Sequence, residues 1–252
     1  MEIDDVKKRL KAIKFCQTSE HAVTICIWPS AANETIIQYV KKCLENDIGA
    51  DIIYETKLYL EPHTSALIMM AVYENEEWLE SNCWYNEQPL KDGKPSGAWP
   101  GAKWKGKLCF QEDQPLHIYV ADVSNAKKSI WDAKYYLRSE LSKRSGYFGN
   151  SCMHVSDDQS SIIAARKQEG VTNDRQSIIS HGFSCDDSYA YHCCRIFLNP
   201  LVANYLNVEC KQLNLDETNF MEKYKFLQFL EWLKDENVQD YDAVKGKFIF
   251  FN

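Results

Sequence analysis

The alternation of strand-like and helix-like segments constrains this chain more than any other feature. "HAVTICIWP", residues 21–29, is β-branched and alternating, ends at Pro29, and reads as a buried strand. In "NETIIQYVKKCLEND", residues 33–47, Ile36, Ile37, Val40 and Leu44 mark one face of a helix. Asn33 stands where its side chain can accept from the free N–H groups of that helix's first turn. "ADIIYETKLYL" (50–60) is the next strand and "HTSALIMMAVYENEEWLE" (63–80) the next helix. "PLHIYVADV" (115–123) is a third strand, "NAKKSIWDAKYYLRSELSK" (125–143) a helix, "SCMHVSD" (151–157) a fourth strand and "DQSSIIAARKQ" (158–168) the helix after it. Ile3, Val6, Leu10 and Ile13 recur at helical spacing, so a short amphipathic helix precedes the first strand.

The order is thus β-α-β-α, an excursion, then β-α-β-α. That rhythm predicts an α+β fold with a ferredoxin-like antiparallel sheet and helices on one face. The core is expected over residues 1–175, with a long Gly-, Pro-, Trp- and Lys-rich insertion at about 81–114. Loops of that length are uncommon and usually functional. After about Gly170 the pattern changes, and 176–252 reads as a C-terminal extension packed on the core. Its strong helix "NFMEKYKFLQFLEWLKDEN" (219–237) carries Phe226, Leu227, Phe229, Leu230 and Leu233, a face for the core or for a homo-oligomer.

A chain of 252 residues with 45% hydrophobic and 26% charged residues has enough apolar mass for one sizeable core, so a compact fold is expected. The longest apolar runs fall far short of the ~20 residues that span a bilayer. The charged, amphipathic start "MEIDDVKKRLKAIKF" lacks the pattern of a signal peptide, so the expectation is a cytoplasmic protein without a membrane partner. Ten irregularly spaced cysteines, several in apolar segments, fit reduced thiols better than a disulfide framework. A net charge of −7 argues against a general nucleic-acid binder, which needs a basic surface.

The candidate chemistry lies in "SGYFGNSCMHVSDDQSSIIAARK" (145–167), where His154 is followed by Ser156, Asp157 and Asp158. A histidine on the last core strand, with Ser156 at +2 and Asp157 at +3, resembles the N-x-x-H-G-S-D motif of nucleoside diphosphate kinases. The similarity covers roughly residues 21–167, and the strand and helix segments fall in that family's order. It implies that His154 carries a phosphoryl group from a nucleotide, assisted by Ser156 and Asp157. A neutral imidazole is nucleophilic near pH 7, which suits the role. The chain departs from the family at several positions. Trp28-Pro29-Ser30-Ala31 replaces the lysine turn after the first strand, and Val155 replaces the glycine after the histidine. Ser151 stands at −3 with Asn150 one residue further off, and Ala165 stands where the imidazole-orienting glutamate belongs.

Replacement cations are at hand. In "GAWPGAKWKGKLCF" (97–110), Lys103, Lys105 and Lys107 alternate on what reads as a strand or extended loop, which would align them on one side. Lys134 and Arg138 share one face of the following helix. Lys103, Lys105, Lys134, Arg138 and Asn150 therefore form the expected phosphate clamp, since phosphoryl transfer rests on positioning and charge neutralisation. The alternating lysines equally fit a guarded sheet edge. Asp157 and Asp158 are the candidate ligands of Mg²⁺, which bridges phosphate oxygens if a nucleotide is the substrate. Cys185, His192 and Cys193 in "SCDDSYAYHCC" suggest zinc, but adjacent cysteines rarely reach one tetrahedral ion and no second C-x-x-C is present, so the spacing argues against it. Cys109 and Cys152 are candidate nucleophiles in apolar surroundings that make thiols inert.

Two readings follow. One is a phosphotransferase or nucleotide-processing enzyme acting on a nucleotide or phosphorylated small molecule. The other is a catalytically silent nucleotide- or protein-binding module on the same fold, favoured by the missing turn lysine. An open cleft at His154 would support the first, and burial under the C-terminal extension the second.

Overall fold

Along the first strand, Val23, Ile25 and Ile27 alternate with Ala22, Thr24 and Cys26, and all six are buried. Such a strand needs cover on both sides. The computed structural model describes residues 3–60, 65–73, 98–110, 114–145, 149–156 and 189–199. In chain order these form α1 (Ile3–Thr18), β1 (Ala22–Ile27), α2 (Glu34–Lys42) continuing into a wider π-type turn (Cys43–Ile48), β2 (Asp51–Leu58) and α3 (Ser65–Val72). There follow α4 (Ala98–Cys109), β3 (Leu116–Asp122), α5 (Ile130–Ser145), the short α6 (Gly149–Cys152), β4 (Met153–Val155) and α7 (Tyr189–Leu198).

The four strands form one sheet in the order β2-β3-β1-β4, and every neighbouring pair is antiparallel. The fold is therefore α+β, with the four expected strand segments in a single antiparallel sheet. Ile25 faces both Tyr119 on β3 and Val155 on β4, while Cys26 faces His154. A register shift between Ile52 and Tyr54 interrupts the β2–β3 ladder.

The helices do not share one face. Val23, Ile25, Ile27, Tyr119, Ala121, Met153 and Val155 pack under α2 and α5, which supply Ile36, Ile37, Val40, Ala133, Leu137 and Leu141. The opposite face carries Cys26, Trp28, Leu116, Ile118 and Val120 beneath α1, α3, α4 and α7. The expectation of a single helical layer is corrected for that reason: Ala22, Cys26 and Trp28 are as apolar as the residues they alternate with, and bare they would expose a wide hydrophobic surface.

Local signals place the helix ends. Asn33 Oδ1 accepts from the backbone N–H of Ile36 at 3.0 Å, the cap expected from the sequence. The π-type turn ends at Gly49, whose φ of 78° places it in the left-handed region that glycine enters without penalty. Gly106 of α4 serves a different purpose, because a Cβ there would lie 2.6 Å from Ser65 Oγ and 3.2 Å from the Ser65 backbone. Its hydrogen lets α4 approach the start of α3.

The lysine-rich segment is helical, not extended. Residues two apart on a helix point to nearly opposite sides, so Lys105 is buried in α4 at 1% exposure while Lys107 is exposed and Lys103 lies between. The expected alignment of three lysines on one side is thereby overturned. Among the described residues no helix is long and apolar enough to cross a membrane.

Candidate functional site

β4 is three residues long, and alternation decides what each faces. Met153 and Val155 turn to the α2–α5 side, so His154 turns to the layer holding α3 and α7. It is 2% exposed. Its Nδ1 lies 3.1 Å from the hydroxyl of Tyr73, which follows α3, and its Nε2 lies 3.5 Å from the Cys193 thiol on α7. The Tyr73 ring meets the imidazole edge-on with centroids 5.2 Å apart, and the Trp28 indole lies 6.4 Å away. A neutral imidazole has one donor and one acceptor, and hydroxyl and thiol can each play either part, so both tautomers are served.

Burial pushes the His154 pKa well below its ordinary 6.5, and the charges of Lys134, Arg138, Lys105 and His192 push it further the same way. The ring is neutral at neutral pH.

The strand carrying His154 is tied down atom by atom. Three successive carbonyls accept from two segments, the stretch after β1 and α5: Ser151 O from Ser30 Oγ at 2.5 Å, Cys152 O from the Trp28 N–H at 2.9 Å and Met153 O from Arg138 Nη2 at 3.3 Å. Ser156 continues the lacing, its N–H donating to Thr24 O at 2.9 Å and its Oγ accepting from the Thr24 N–H at 2.8 Å. Ser156 thus extends the β1–β4 pairing, two residues from His154 and on the same face.

Of the expected clamp, Lys105, Lys134 and Arg138 gather round β4 closely enough for all three charges to act on His154. Lys105 and Lys134 are buried, and Arg138 is partly exposed with its Nε buried and without a hydrogen-bond partner. Burial and the Arg138 charge lower the Lys105 pKa, against the opposing influence of Cys109. Lys103 is half-buried on α4, and Asn150 lies in α6 with its side chain outside the described residues. Asp157, Asp158 and Cys185 also lie outside them, as does the helix expected at 219–237.

His192 and Cys193 are engaged in different directions, His192 Nε2 with the Ala71 carbonyl at 2.7 Å and Cys193 with His154. Among the described residues no group of three or more His, Cys, Asp or Glu side chains could hold a metal ion, so none of them supplies an oxygen cage for Mg²⁺. Burial raises the Cys109 thiol to about 11 and raises Cys152 also, which keeps both protonated at neutral pH.

Tyr73, Cys193 and Trp28 lie against His154, and sequence reasoning did not join them to it. Tyr73 and His154 are 81 residues apart, and neither carries a local pattern pointing to the other. No family model, curated protein or solved structure matches this chain.

Proposed function

We propose that this chain is a catalytically silent binding module for a phosphate-bearing small molecule, nucleotide or otherwise, in which His154 is a structural residue. The observation that carries the reading is the occupation of both His154 ring nitrogens, by Tyr73 and Cys193, inside the core while cations gather at the same strand. A phosphoryl carrier must present one nitrogen to the donor's phosphorus along an open line. His154 instead pins β4 to α3 and α7. Lys105, Lys134 and Arg138 supply the charge that favours an anionic ligand.

The architecture we assign is ferredoxin-like. In its support, α2 connects β1 to β2 and α5 connects β3 to β4, and the strand order is that of two interleaved β-α-β units. The similarity to nucleoside diphosphate kinases then concerns the frame and the histidine's position, with the chemistry lost along with the turn lysine and the glycine after His154.

One observation favours the enzyme: a neutral imidazole held within electrostatic reach of three cations is a competent phosphate acceptor. A thermal-shift screen with nucleotides and sugar nucleotides, with and without Mg²⁺, separates the two. A ligand at a hundred times its Kd stabilises by about 2.7 kcal/mol. The module reading expects such shifts in the wild type and in His154→Asn, each against its own baseline. An acid-labile phosphate that forms on the wild type and is absent from His154→Asn would replace it with the carrier reading.

A further inference from the structure

We infer that the indole N–H of Trp28, the Nε–H of Arg138 and the hydroxyl of Ser151 together form a recognition site for one phosphate group. The inference rests on the binding reading above and names the atoms that would do the binding. All three polar atoms are buried and have no hydrogen-bond partner. Trp28 is 0% exposed and Ser151 1%. Donors withdrawn from water and left unmatched carry the full desolvation penalty, so several of them at one place call for an acceptor.

Their residues meet at one backbone stretch, and Arg138, carried on the α5 side, lies close enough to Lys105 and Cys109 of α4 for its charge to act on both. The Trp28 N–H bonds the Cys152 carbonyl, the Ser151 carbonyl takes the Ser30 hydroxyl, and the Arg138 Nη2 takes the Met153 carbonyl. The end of β1, the side of α5 and the start of β4 therefore meet within three residues.

The chemistry of the set selects the ligand. An indole and a guanidinium only donate, and a serine hydroxyl donates as readily as it accepts. Their complement is a group made of acceptors with several oxygens, and the charges of Arg138, Lys105 and Lys134 favour a dianion over a monoanion. A phosphate monoester or orthophosphate meets both conditions. A carboxylate has fewer oxygens and half the charge.

The test is titration of the full chain with inorganic phosphate, with potassium chloride at equal ionic strength and potassium acetate as controls. The readouts are calorimetry and the indole N–H resonances in ¹⁵N spectra, the Trp28 signal being identified by its loss in Trp28→Phe. The expected result is saturable binding of phosphate but not acetate, with the Trp28 indole resonance moving as the site fills. Ser151→Ala and Trp28→Phe should each weaken phosphate binding about tenfold, the loss of one charge-assisted hydrogen bond. Ser151→Ala should not melt below the wild-type temperature in phosphate-free buffer, since its buried hydroxyl leaves no bond behind. If phosphate binds with wild-type affinity to both variants and the indole resonance stays still, this site is wrong and the binding reading stands. If neither phosphate nor any nucleotide binds the wild type, both fall.

Discussion

The hydroxyl of Tyr73 and the Nδ1 of His154, 3.1 Å apart in the core, join the end of α3 to the edge strand β4. Both residues are buried, which makes the pair a test of His154's role. Tyr73→Phe keeps the ring and deletes only the hydroxyl. It should cost about 1–3 kcal/mol, the usual effect of removing one partner of a buried hydrogen bond, read from urea unfolding. An unchanged midpoint would mean that the hydroxyl does not hold the histidine.

The depressed pKa of His154 has a pH signature. In the unfolded chain a histidine takes up a proton near 6.5, whereas in the folded chain burial and nearby cations prevent it until the pH is well below that value. Below about 6.5 the unfolded state therefore binds more protons, and stability falls as pH falls, with a limiting slope of ~1.4 kcal/mol per pH unit for one proton. His117 is lowered as well, by burial against the opposing pull of Glu55, and adds in the same direction. Denaturation between pH 7 and 5 should show this slope, and His154→Gln should reduce it. Surface carboxylates act in a lower window, since Glu34, exposed, and Glu140, half-buried, are held below 4.5 by their partners.

Lys105 and Lys107 differ by two positions and lie on opposite sides of α4. Brief treatment of the native protein with an amine-acylating ester should modify Lys107 and spare Lys105, with both reacting after denaturation, as peptide mass spectrometry would report. Equal native labelling would mean that this segment is not the helix described.

Gly106→Ala tests the α3–α4 packing. Alanine normally favours a helix by about 1 kcal/mol over glycine, but here its methyl meets Ser65 Oγ at 2.6 Å and Ser65 backbone at 3.2 Å. The expected net effect is destabilisation by about 1–3 kcal/mol, the usual cost of overpacking. Ser65→Gly in the same chain should recover part of it, a coupling that chemical denaturation of the double variant would measure.

The sequence by itself determined the elements whose signals are local. β1 and β3 were legible because an apolar run with β-branched residues favours a strand wherever it is packed, and α2 because Asn33 and the spacing of Ile36, Ile37, Val40 and Leu44 are complete within one segment. The candidate residues around β4 were legible in part, as chemical types without an arrangement. Only the tertiary structure decided what depends on distant pairings. Both faces of the sheet are covered because α1, α3, α4 and α7 return to its second side. Lys103, Lys105 and Lys107 separate because the segment packs as a helix against α3, a choice that glycine- and tryptophan-rich sequence leaves open. His154 is enclosed because residues 73 and 193 arrive at its two nitrogens. A short-range pattern fixes which groups a segment offers, and the free energy of burying them is settled only when the rest of the chain supplies their partners.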